Sequence, residues 1–79
     1  MKRTDLPTVL EETLRALGGT ATIVEVARRI WEKHEAELRA SGDLFFTWQY
    51  DVRWAAQRLR DAKKLTYSRR DTRQVWQLI

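Results

Sequence analysis

The 79-residue chain has no cysteine, one histidine, one proline and three glycines. Without cysteine there is no disulfide framework and no thiolate metal site, so a zinc finger is excluded, and a reducing compartment fits. The single histidine, His34, has no Ser, Cys or second His placed for nucleophilic or metal chemistry. It falls on an apolar helical stripe, where a core or boundary role is expected. So little proline and glycine leaves no long linker, and no repeat or low-complexity tract interrupts the chain. The apolar runs are only a few residues long, too short for a membrane span or a signal core. A soluble, cytoplasmic protein is expected, on the nucleoid if the source is bacterial. Gly18-Gly19 lacks the lysine of a nucleotide-binding loop. Asp51 with Asp61-Ala62-Lys63 matches a bare nuclease-like spacing, but all four fall on one predicted helix where such sites use strands. No cofactor, metal or small-molecule effector pocket is legible, and an enzyme is not expected.

What is present is apolar enough to fold: 43% hydrophobic against 33% charged residues. One small domain is expected over residues 4–79, preceded by a short basic arm, residues 1–3. The charge is unevenly placed. Seven basic and seven acidic side chains cancel in residues 1–40, whereas residues 41–79 carry eight basic and four acidic ones, which accounts for the whole net charge of +4. A basic half of this kind is the footprint of a polyanion-binding surface.

Asp5 and Pro7 mark a helix start, and Leu6, Val9, Leu10, Leu14 and Leu17 recur at helical spacing up to Gly18-Gly19. After a short extended piece, Thr20 to Thr22, the run Thr22-Ile23-Val24-Glu25 reads as a capping box opening a second helix. Its stripe is Ile23, Val26, Ala27, Ile30, Trp31, His34 and Leu38; Ser41-Gly42-Asp43 stops it. Leu44-Phe45-Phe46 leads into Thr47, a plausible cap, and Val52, Ala55, Ala56, Leu59 and Ala62 predict a third helix to about Lys63. From Lys64 the period becomes two, and Val75, Trp76 and Leu78 follow a basic Arg-Asp-Thr tip, which predicts a hairpin. Helix, extended piece, helix, helix, strand, turn, strand is the order of an α+β winged helix-turn-helix, three helices followed by a β-hairpin wing. Trp31, Trp48 and Trp76 are assigned to its core.

In that fold the third helix enters the major groove. With Val52 centred on the buried side, the opposite side carries Tyr50, Trp54, Gln57 and Asp61, flanked by Thr47, Arg53 and Arg58. Thr47, Gln49, Tyr50, Arg53 and Gln57 are the candidate base readers: an arginine suits guanine, a glutamine adenine. Against this stands an ordinary solvated helix face. Trp54 is anomalous there and admits three explanations: packing under the wing or on the second helix, a dimer contact, or a DNA contact. On the wing, Arg69, Arg70, Thr72 and Arg73 are candidates for phosphate or minor-groove contact, although charged hairpin tips are common.

The stretch from Leu14 to Thr22, Glu25-Val26, Val52-Arg53-Trp54-Ala55, Leu59, Lys64-Leu65 and Val75-Trp76-Gln77-Leu78 together resemble the amino-terminal domain of Mrr-type restriction proteins. The resemblance implies a winged helix that binds DNA. Two departures limit it. The 79 residues include no nuclease domain, so cleavage is not carried over, and Ala62-Lys63-Lys64 stands where the family often has Ala-Gly before the first wing strand. The expected function is binding of double-stranded DNA by a small transcriptional regulator or DNA-binding accessory, with a homodimer on adjacent half-sites as a route to specificity. Two alternatives are a protein-interaction module using a Phe45, Phe46 and Trp48 loop or the acidic side of the second helix, and the recognition domain of a longer restriction-type enzyme.

Overall fold

Leu6, Val9, Leu10, Thr13 and Leu14 turn one side of Leu6–Ala16 into the core, and this segment is the first helix, α1, of a computed structural model that describes residues 1–79. A single 3-10 turn, Arg3–Asp5, precedes it. At its end the amides of Gly18 and Gly19 return to the carbonyls of Arg15 and Leu14 at 3.2 and 2.7 Å. That closure needs a left-handed residue just past the helix, and Gly18 supplies it at φ 89°.

A short strand, β1 (Thr20–Thr22), runs into α2 (Ile23–Arg39). The capping box forms as expected: Glu25 N–H donates to the Thr22 hydroxyl at 3.2 Å, and Thr22 N–H donates to the Glu25 carboxylate at 2.8 Å. Helix α2 buries Val26, Ile30 and Leu38 and kinks at His34, whose φ of −123° and ψ of 19° leave the helical region. Trp31, assigned to the core from its spacing, is only half-buried, because its outer face opens onto a trough between α2 and the next helix. Trp48 and Trp76 are buried.

The third helix, α3 (Leu44–Asp61), starts one turn earlier than its predicted cap. Leu44 is buried and continues the stripe of Trp48, Val52, Ala55 and Leu59, so burying it extends the helix back to Asp43. Thr47 therefore caps nothing; its hydroxyl donates to Asp51 Oδ2 at 2.8 Å inside the helix. At the other end Ala62, expected on the apolar stripe, lies beyond the last helical residue and is exposed. Lys63 and Lys64 close this helix as the glycines close α1, their amides each 2.9 Å from the carbonyls of Arg60 and Leu59. Here the left-handed position, φ 60°, is held by Lys63.

Strands β2 (Leu65–Arg70) and β3 (Arg73–Leu78) form the expected hairpin about Asp71 and Thr72, and Asp71 takes a φ of 56°, as tight hairpin turns of the primed types require at their first position. The extended piece joins it, giving an antiparallel sheet in the order β1-β3-β2. Ala21, Trp76 and Tyr67 stand abreast in register, with Leu65 opposite Leu78. Ala21, Leu65 and Trp76 pack into the helical core. Three helices and a three-stranded antiparallel sheet make this an α+β domain, compatible with the winged-helix layout. No helix is long and apolar enough to cross a membrane.

Candidate nucleic-acid interface

The helical period places Phe46, Tyr50, Arg53 and Gln57 along one narrow strip of α3, opposite the buried stripe. All four are exposed, Phe46 and Tyr50 to 83% and 76%. Gln49 is exposed beside them and faces α2 across the trough that Arg53 also lines. The sequence-predicted residues thus divide in two. Tyr50, Arg53 and Gln57 share the outward strip with Gln49 beside it, while Thr47, Trp54 and Arg58 lie on the flank that turns toward the N-terminal 3-10 turn.

That flank is engaged by the protein itself. The Arg3 guanidinium lies 3.9 Å from the centre of the Trp54 ring, and its Nε is 3.4 Å from Asp51 Oδ1. Arg58 approaches the same ring at 5.7 Å. Trp54 is half-buried against the core, with the N-terminal turn on its ring through Arg3. On the strip, Gln57 donates to Asp61 Oδ1 at 2.9 Å, which orients its amide along the helix. Arg53 has no acidic partner.

In the hairpin, Arg69 and Arg70 end β2, Arg73 begins β3, and only Asp71 and Thr72 form the turn. Arg69, Thr72 and Arg73 are exposed and unpaired. Arg70 differs: its Nη1 is 3.2 Å from Glu25 Oε1, tying the hairpin to the first turn of α2. The Glu25 carboxyl is held below the ordinary value of 4.5, first by the Thr22 amide, then by the Thr22 hydroxyl, and further by Arg70. Arg60, exposed, lies 4.4 Å from the centre of the Tyr67 ring.

Of the eight bases in residues 41–79, Lys64 and Arg70 have an acid within 4.0 Å, while Arg53, Arg58, Arg60, Lys63, Arg69 and Arg73 have none. Unpaired cations also stand on α2, at Arg28, Arg29 and Lys33. No three His, Cys, Asp or Glu side chains converge as metal ligands would. Asp51 and Asp61 occupy a single helix, bonded respectively to Arg3 and Thr47, and to Gln57.

Phe46 is the residue that sequence reasoning left out of this strip, because it was placed in a loop before the helix. Its four-residue spacing to Tyr50 was the available signal. The loop expected to present Phe45, Phe46 and Trp48 is likewise the first turns of α3, with Trp48 stacked on Trp31 at 6.1 Å between centroids. No protein-family model matches the chain, and neither a curated protein nor a solved structure does.

Proposed function

We propose that this domain is a winged helix that binds double-stranded DNA, with α3 in the major groove and the hairpin on the backbone or minor groove. The observation that carries the reading is Arg53, an unpaired cation in the middle of an exposed strip between Tyr50 and Gln57. An arginine so placed is free to form a bidentate pair with guanine, and the flanking side chains suit base edges and sugars. Arg69 and Arg73 supply the sequence-independent attraction for phosphate. A single module of this size covers about 600 to 1,000 Å2 of its own surface on DNA, so regulation at a defined operator calls for two copies on adjacent half-sites.

The test is fluorescence anisotropy of a pooled random-sequence duplex, titrated with the protein at two salt concentrations, with the bound fraction then sequenced. The expected result is binding whose log affinity falls with log salt by about 0.9 per phosphate contacted, and an enriched motif. Absence of binding at low salt overturns the reading.

A further inference from the structure

Between the first turns of α2 and the first half of α3 runs an open trough of about 720 Å3. Ile23, Ala27 and Trp31 line it from α2, and Phe45 and Trp48 from α3. Its floor is aromatic: Trp31 stacks on Trp48 with the ring planes 8° apart, and Phe45 lies 6.3 Å from Trp31. Val24, 59% exposed, forms an apolar lip. The remaining lining is Arg28, Gln49 and Arg53, with no carboxylate among them, and neither arginine has an acidic partner. Arg39 also stands beside the floor, 5.1 Å from the Trp31 ring and 5.7 Å from Phe45, but its Nε is paired with Glu35 at 2.9 Å, which leaves Arg28 and Arg53 as the free cations of the trough.

An apolar floor between two unpaired guanidiniums is complementary to one kind of surface: bulky apolar side chains in a row, flanked by carboxylates. Duplex DNA matches the cations but projects no apolar side chains to fill the floor. A basic peptide meets the arginines with like charge. We propose that the trough docks an acidic amphipathic helix from a partner protein, its apolar face on Trp31, Phe45 and Ala27 and its carboxylates on Arg28 and Arg53. Docking of this helix does not depend on the DNA reading. One corollary does: Gln49 and Arg53 belong to both surfaces, so the docked helix and a duplex exclude each other, and the partner acts as a releasing factor.

The probe is a fluorescein-labelled helical peptide of about four turns, leucines on one face and glutamates on the other, titrated with the 79-residue protein. Two controls accompany it, one with the leucines scattered round the helix and one with lysine for every glutamate. The acidic amphipathic peptide is expected to bind at least about tenfold more tightly than either control and to change the emission of Trp31 and Trp48. Val24→Glu, Arg28→Glu and Arg53→Glu, all at exposed positions and checked for folding by circular dichroism, are each expected to weaken it. Equal binding of the scattered peptide, tighter binding of the basic one, or unchanged affinity in all three variants overturns the proposal. So does a dimer in sedimentation that Val24→Glu dissociates, which assigns the trough to a second copy. Displacement of the peptide by duplex supports the corollary, and simultaneous binding of both overturns it while leaving the docking result intact. A protein that binds the peptide but no duplex at low salt refutes the DNA reading alone.

Discussion

The guanidinium carbon of Arg3 sits 3.9 Å from the centre of the Trp54 ring while its Nε reaches the Asp51 carboxylate, so one side chain from the N-terminal turn covers an aromatic ring and pairs a buried acid on α3. Asp51 retains only 9% of its surface. Replacing Arg3 by Ala leaves that carboxylate with the Thr47 hydroxyl as its remaining donor and opens Trp54 to water. A destabilisation of about 1 kcal/mol is expected, with a red shift in tryptophan emission, measured by urea titration and fluorescence. Arg3→Lys keeps the charge but loses the guanidinium that meets both the ring and the carboxylate, and should recover only part of the loss.

Lys63 occupies a backbone conformation that costs a side-chain-bearing residue energy, at a helix end where α1 uses Gly18. Lys63→Gly should raise stability by about 0.5 to 1 kcal/mol, the relief of left-handed strain less the entropy that glycine loses on folding. In a domain this small the melting temperature should rise by about 2 to 8 °C, read by thermal circular dichroism. Lys63→Ala, which keeps the strain, should not raise it.

Acid should release the hairpin from α2. Because the Glu25 carboxyl titrates below its ordinary range when folded, its ionised form contributes stability above the unfolded value of about 4.5, and the contribution fades as pH falls through the lower folded value. Glu25→Gln should therefore be less stable than the parent at neutral pH, with the difference shrinking below about pH 4. A constant difference from pH 7 to pH 3 by denaturant titration would show that the carboxylate charge contributes nothing.

On DNA the three wing arginines should not behave alike. Arg69→Ala and Arg73→Ala should weaken binding on every sequence and each lower the salt slope by about one contact. Arg70 is committed to Glu25, so Arg70→Ala should affect folding of the hairpin more than the salt slope. Arg53→Ala should cost about 1 to 3 kcal/mol on the selected motif and much less on random duplex. Equal losses on both would place Arg53 on phosphate.

Much of this architecture was legible because its signals are local. The Thr22-Glu25 box, the Gly18 stop and the change of period at Lys64 each report within a few residues, and the elements they mark are present. The start of α3 was misplaced since Thr47 is a good cap by type, whereas the deciding fact is long-range: Leu44 has a core to enter. The same slip hid Phe46. Trp54 was rightly singled out as needing a partner, yet nothing near it in sequence names Arg3, which lies across the fold. The pairing of Arg70 lay beyond local reading because alternation along a strand does not reveal Glu25 on the first turn of α2.

The position of β3 in the middle of the sheet has a consequence for how the protein is made. Its two neighbours, β1 and β2, pair only through it, and the amide of Leu78 reaches back to the Gly19 carbonyl at 2.8 Å. A nascent chain that has emerged as far as Asp71 holds three helices and two strands with nothing to join them. Assembly of the sheet must wait until residues 73–78 leave the ribosome, and until then the edges of Thr20–Thr22 and Leu65–Arg70 stand open to chaperones or to neighbouring chains.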